Sequence, residues 1–85
     1  MTEGIQNKAA VVTGASTGIG EATVRALRTE GWTVYAVARR ADRLEALAAE
    51  TGAVALPADV TDDADVARLV DEVTRAGGID TLINV

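Results

Sequence analysis

The chain is 85 residues long, which is enough for one small domain and excludes a second. It contains neither Cys nor His, so a disulfide framework, a thiolate metal site and a Cys nucleophile are excluded, and the commonest metal ligand and general base are absent. Eight basic and thirteen acidic residues give a net charge of −5, which excludes a general nucleic-acid-binding role, while 48% hydrophobic and 25% charged residues are typical of a globular protein.

Short apolar runs alternate along the chain with segments of helical periodicity. The apolar runs predict four strands, over residues 8–13, 33–38, 53–56 and 80–85. The periodic segments predict helices over 18–30 and 41–51, and a third helix that Asp62 caps and that ends before the Gly77-Gly78 pair. Each helix carries an apolar stripe: Ile19, Ala22, Ala26 and Leu27 on the first, Leu44, Leu47 and Ala48 on the second, and Val66, Leu69, Val70 and Val73 on the third.

Alternating strands and helices predict an α/β fold whose parallel sheet is covered by helices. Right-handed crossovers favour the strand order 3-2-1-4, the first half of a doubly wound, Rossmann-type sheet. The fourth strand is the last element and would leave a bare apolar edge at Leu82, Ile83 and Val85. We therefore expect residues 1–85 to be a partial domain, truncated after the fourth strand.

A glycine-rich loop over residues 13–20 joins the first strand to the first helix. Gly14 allows a sharp turn, Gly18 lets a diphosphate approach the backbone, and Gly20 lets the helix begin close to the sheet. Free amide groups near the helix start, together with the helix dipole, favour an anion there. A glycine-rich turn that binds nothing is the alternative, but the strand–loop–helix context favours a dinucleotide site. The GxxxGxG spacing without a following Lys-Ser/Thr excludes a P-loop.

The loop sequence TGASTGIG resembles the nucleotide-binding loop, TGxxxGIG, of the short-chain dehydrogenase/reductase family. The segments VARR, ADVTD and IDTLIN follow at matching intervals, so the resemblance runs through the whole chain. It implies an oxidoreductase that transfers a hydride between a nicotinamide cofactor and a small-molecule carbonyl or alcohol. It also places six loop residues at the cofactor: Gly14, Ser16, Thr17, Gly18, Ile19 and Gly20.

The end of the second strand indicates the cofactor. An acidic residue there binds the ribose hydroxyls of NAD, whereas an Arg accommodates the 2′-phosphate of NADP. This chain has Arg39 and Arg40 at that point, so the resemblance implies NADP(H), with Arg39 as the main phosphate ligand and Arg40 either assisting or stacking near the adenine. A solvated strand end is the alternative interpretation. Many NADP-using members carry Lys or Arg where this chain has Thr17, which keeps NAD(H) as the second choice.

Two further positions match the family pattern. By resemblance, the Asp59 carboxylate accepts a hydrogen bond from the adenine amino group and the Val60 amide donates one to the ring; the alternative is that Asp59 only shapes the turn. Asn84 matches the first Asn of the family's NNAG motif, which lies near the cofactor ribose and helps to tie the central strands together. Val85 departs from that motif, because the second Asn should stand there.

The family's catalytic Ser and its Tyr-xxx-Lys pair have no counterpart in this chain, so we expect no catalytic residue here. The single Ser is Ser16, in the loop. Tyr35 and Arg39 mimic the spacing, but four residues of a strand span roughly 13 Å. Tyr35 and Trp32 are better interpreted as packing residues, and Lys8 lies at the edge of the sheet opposite the cofactor.

Three hypotheses remain: the NADP(H)-binding part of an oxidoreductase, a stand-alone dinucleotide-binding module or sensor, and a domain for FAD or S-adenosylmethionine. The missing acid at the end of the second strand argues against the third. No long apolar run and no signal-peptide pattern at residues 1–4 are present, so we expect a cytoplasmic protein without membrane contact. The resemblance implies a homo-oligomer when complete.

Overall fold

The structure is a computed structural model that describes residues 8–85; the N-terminal residues considered for a signal peptide lie outside that range. Its strands are β1 (Ala9–Thr13), β2 (Thr33–Ala38), β3 (Val54–Pro57) and β4 (Thr81–Asn84). Its helices are α1 (Gly18–Thr29), α2 (Ala41–Thr51) and α3 (Asp63–Arg75). None of the helices in the described range combines the length and the apolar character needed to cross a membrane.

The sheet confirms the predicted fold class. All strand pairs are parallel and the order is β3-β2-β1-β4. Val11 on the central strand β1 pairs with Tyr35 of β2 on one side and with Leu82 of β4 on the other. The carboxyl ends of all four strands therefore meet at one edge of the sheet.

The two faces of the sheet are covered unequally. On one face, α1 and α2 pack against β1 and β2, and Val24, Leu44 and Leu47 are buried there. On the other face, α3 contributes a single buried residue, Val73, against Val11 and Tyr35. The α1–α2 face therefore holds most of the hydrophobic core.

The predicted apolar stripe of α1 is wrong at three of its four positions, whereas Leu27 packs against the core as predicted. Ile19, Ala22 and Ala26 are exposed, whereas Gly20 and Val24 are buried. Gly20 lies against the backbone of Gly14 and Ala15, and this contact turns the helix face that contains Val24 toward the sheet. The stripe of α2 is confirmed by the burial of its two leucines.

Strand ends differ slightly from the predictions. β3 extends through Pro57, which is tolerated because β3 is an edge strand. β4 begins at Thr81 rather than at Asp80, because Asp80 forms two hydrogen bonds to Ala9 at the start of β1. The Asp80 carboxylate accepts from the Ala9 amide at 2.8 Å, and the Asp80 amide donates to the Ala9 carbonyl at 2.8 Å.

An apolar groove of about 500 Å³ lies open between α3 and β4. Several large apolar side chains that line it are exposed, among them Val60, Val70, Ile79 and Leu82. Since β4 is also an edge strand, its outer backbone groups lie beside this groove. Apolar surface next to a free strand edge favours association between chains.

We predict that the 85-residue chain self-associates through this surface. In sedimentation velocity, the weight-average sedimentation coefficient should rise with protein concentration. Leu82→Lys should reduce that rise, because a charge on an edge strand opposes pairing. Ala22→Lys, on the exposed side of α1, is the matched control and should leave it unchanged. A monomer with a cooperative melt above about 60 °C would contradict this prediction.

Candidate functional site

The carboxyl edge of the sheet holds a pocket of about 310 Å³. It brings together five of the residues singled out in the sequence, which are Gly14, Arg39, Asp59, Val60 and Asn84. The remaining ones do not line this pocket: Ser16 to Gly20 continue the loop into α1, and Arg40 lies at the start of α2. The pocket floor is made by the buried strand residues Thr13, Val37 and Ala38.

Glycines shape the loop in different ways. Gly14 has a φ of +67°, in the left-handed region where a Cβ is strained. A Cβ on Gly20 would lie 2.1 Å from the Gly14 carbonyl oxygen, so only glycine allows α1 to begin this close to the loop. A Cβ on Gly18 would meet no atom within 4 Å. The fold therefore leaves open space at Gly18, as a diphosphate would need.

Thr17 closes the loop. Its hydroxyl donates to the Gly14 carbonyl at 2.9 Å and accepts from the Gly20 amide at 3.2 Å, which caps α1. The first-turn amides of Gly18 and Ile19 have no acceptor within the helix. The positive end of the α1 dipole therefore faces the carboxyl edge with two amides available to an anion. The Ile19 side chain is 73% exposed beside them, and Ser16 is half-buried.

The two arginines after β2 have different environments. Arg40 is the N-cap residue of α2 and its guanidinium lies 3.4 Å from the Asp42 carboxylate. This hydrogen bond holds the pKa of Asp42 below its ordinary value. Arg39 is exposed, lines the pocket and forms no ion pair with another residue in the range 8–85. The Arg40–Asp42 pair was not predicted, although the spacing of the two residues around a helix start is its signal.

Asp59 is held in a polar turn between β3 and α3. Its Oδ1 accepts from the Thr61 hydroxyl at 2.6 Å and from the Thr61 amide at 2.9 Å. These two bonds, with a smaller contribution from the nearby charge of Arg39, lower the pKa of Asp59 against the opposing effect of desolvation. Sequence reasoning missed Thr61, although an Asp-x-Thr sequence is a recognisable turn signal.

Asn84 and Val85 complete the edge beside β1. The Thr13 hydroxyl donates to Asn84 Oδ1 at 2.5 Å, which links the paired ends of β1 and β4. Val85 approaches the loop closely: a Cβ on Gly14 would lie 3.0 Å from the Val85 carbonyl oxygen. The residue that departs from the family motif thus lies directly against the glycine loop.

Tyr35 is buried in β2 among the residues under α3, and Trp32 packs at the edge of the other core. The Lys8 ammonium lies 5.5 Å from the centre of the Trp32 ring, at the amino end of the sheet. None of these three residues lines the pocket. The pocket offers backbone amides, the Arg39 guanidinium and the Asp59 carboxylate, which are groups suited to hydrogen bonding with a polar ligand.

Residues 8–85 match the sequence model of a family described as short chain dehydrogenase. An uncharacterized oxidoreductase of Mycobacterium tuberculosis, strain H37Rv, is 62% identical over 65 residues, which cover 76% of this chain and 26% of the relative. The chain thus matches about a quarter of the length of that relative.

Solved structures share the fold. A metagenomic short-chain oxidoreductase in complex with NADP matches 94% of this chain and 39% of its own, with 32% identity and a TM-score of 0.85. A 3-ketoacyl-(acyl-carrier-protein) reductase from Brucella melitensis, complexed with NADH, matches 91% of this chain and 33% of its own, with 32% identity and a TM-score of 0.84. Similar folds therefore hold both types of nicotinamide cofactor.

We predict different effects on stability for two glycine substitutions on the same loop, at Gly20 and at Gly18. Gly20→Ala should lower the free energy of unfolding by about 3 kcal/mol or more, because its Cβ would overlap backbone atoms. Gly18→Ala should leave it unchanged or raise it by about 0.5 kcal/mol, since the site is open and alanine favours a helix. Urea unfolding followed by circular dichroism measures both; equal losses would contradict the prediction.

Proposed function

The chain belongs to the short-chain dehydrogenase family, and we propose that it forms the NADP(H)-binding part of an oxidoreductase. The complete enzyme would transfer a hydride between NADP(H) and the carbonyl or alcohol group of a small molecule. The observation that carries the proposal is the convergence of the glycine loop, Arg39 and Asp59 on one edge of the sheet.

The loop supplies the diphosphate subsite. The open space at Gly18 lets two negatively charged phosphates reach the backbone, and the amides of Gly18 and Ile19 would donate to them. Thr17 holds the loop in this shape through its bonds to Gly14 and Gly20. Ser16 and the exposed Ile19 side chain would contact the cofactor from the same loop.

Arg39 supplies the selection of NADP(H) over NAD(H). It follows β2 and lines the pocket, where its guanidinium would pair with a 2′-phosphate. Arg40 lies next to it, but Asp42 partly neutralises its charge. We therefore assign the main phosphate contact to Arg39 and a secondary one to Arg40.

Asp59 and Val60, which line the same pocket as Arg39, supply the adenine subsite. The Asp59 carboxylate would accept from the adenine amino group, and the Val60 amide would donate to the ring. Asn84, already bonded to Thr13, would lie near the cofactor ribose. When bound, the cofactor supplies or accepts the hydride; these residues bind and orient it.

We assign no catalytic residue within the 85 residues. We propose that residues 1–85 are part of a domain in a longer chain. The catalytic portion, the small-molecule substrate site and the oligomer contacts would lie elsewhere in that chain. The alternative is a stand-alone dinucleotide-binding module. Tyr35 is buried in the core and does not line the pocket, as expected under either hypothesis. The intact mass of the protein from its source separates the two: several times 8.7 kDa supports the enzyme, and 8.7 kDa supports the module.

We predict that Arg39→Asp reverses the cofactor preference. The wild-type chain should bind NADPH more tightly than NADH, and the variant should lose at least about tenfold in NADPH affinity, because a charged hydrogen bond is replaced by repulsion. Titration of the cofactor's own fluorescence measures both affinities. Arg75→Asp, at the end of α3, changes the net charge equally and is the control. An unchanged NADPH/NADH ratio in Arg39→Asp would exclude Arg39 as the phosphate ligand.

We further predict that Gly18→Ala, which should leave the fold intact because its Cβ meets no atom within 4 Å, weakens binding of NADPH and NADH alike. Its methyl group would occupy the open space assigned to the diphosphate, which both cofactors share. The same fluorescence titration should show a loss of about tenfold or more for each, as expected for a displaced charged contact. Unchanged affinities for both cofactors would contradict the assignment of the diphosphate subsite to this loop.

A further inference from the structure

Several hydrogen bonds hold the turn between β3 and α3. The Asp62 amide donates to the Asp59 carbonyl at 2.9 Å, which closes the turn, and the Asp62 side chain then caps α3. Inside the turn, both the hydroxyl and the amide of Thr61 donate to one oxygen of Asp59, Oδ1. The Asp59 side chain is thereby fixed relative to its own backbone.

The backbone of Asp59 is fixed separately. Its amide donates to Asp65 Oδ2 at 2.8 Å, from the first turn of α3. Arg68 lies 3.4 Å from the same Asp65 carboxylate and donates to the Pro57 carbonyl at 3.2 Å. The residue is thus anchored from β3, from the turn and from α3.

These bonds leave one carboxylate oxygen for a ligand. In the part of the chain that the structure describes, no residue donates to Asp59 Oδ2, while Asp59 lines the pocket. We propose that Thr61 is a positioning residue, which occupies Oδ1 so that Oδ2 accepts from the exocyclic amino group of adenine and rejects a 6-keto purine. The inference rests on the proposed function and deepens it.

The selectivity follows from hydrogen-bond chemistry. An ionised carboxylate is only an acceptor, so it can pair with the amino group of adenine and repels the carbonyl oxygen that hypoxanthine carries at the same position. The charged groups around Asp59 are Arg39 from β2 and Asp62, Asp65 and Arg68 from the α3 side. Thr61 lowers the pKa of Asp59, which keeps the carboxylate ionised to a lower pH than in its absence.

The test compares NADPH with its reduced hypoxanthine analogue on the 85-residue chain and three variants. Thr61→Val removes the hydroxyl, and Thr61→Ser restores it. Thr29→Val is the matched control, because the Thr29 hydroxyl also bonds within the chain, to the Arg25 carbonyl, at the far end of α1. Fluorescence titration gives the affinity ratio of the two nucleotides, and carbon-13 NMR of the Asp59 carboxyl gives its pKa.

We expect the ratio to fall about three- to tenfold in Thr61→Val, as for the loss of one hydrogen bond to a charged group, and to recover in Thr61→Ser. The Asp59 pKa should rise in Thr61→Val alone. A selective wild type with an unchanged ratio in Thr61→Val would overturn the positioning role and leave the proposed function intact. A wild type that binds neither nucleotide would instead overturn the proposed function, and this inference with it.

Discussion

The contact between Gly20 and the carbonyl of Gly14 governs the rest of the structure. Because a Cβ there would lie 2.1 Å from that oxygen, α1 begins directly against the end of β1. This approach sets the rotation of α1, so that Val24 enters the core and Ile19 points away from it. It also places the first-turn amides at the carboxyl edge, where Arg39 and Asp59 arrive from neighbouring strands. The close approach of Gly20 to Gly14 thus determines both how α1 packs on the sheet and where the candidate site lies.

This dependence explains what periodicity could and could not predict. The strand order follows from alternation and handedness, which need no side-chain detail, and it was predicted correctly. The stripe of α2 was correct because its two leucines dominate the burial. The stripe of α1 was wrong at the start of the helix because Ile19 outweighs Gly20 in any hydrophobic pattern, although the glycine makes the closer contact; Leu27, further along, packs as predicted. A hydrophobic pattern has no way of marking a residue that is buried because it has no side chain.

The candidate site shows the same division. Motif resemblance singled out the residues that would touch a cofactor, since each sits at a fixed interval along the chain. It did not find their neighbours: Asp42 beside Arg40, Thr61 on Asp59, and Thr13 on Asn84. The first two are local and have turn or helix-start signals. The third joins residues 71 positions apart and becomes visible only once β1 and β4 are known to pair.

The burial of each pocket residue determines how strongly its substitution would affect folding. Its floor is formed by buried residues of the central strands β1 and β2, with Ala38 in the core under α1 and α2 and Val37 in the core under α3; Thr13 completes it. Arg39 and Val60, which would recognise a ligand, and Thr61, which would position Asp59, are exposed and contribute little to the core. Substituting an exposed group costs little folding free energy, whereas substituting Gly20, whose Cβ would overlap backbone atoms, costs much. Ligand selectivity and stability are therefore carried by different residues of the candidate site, and they can be changed independently.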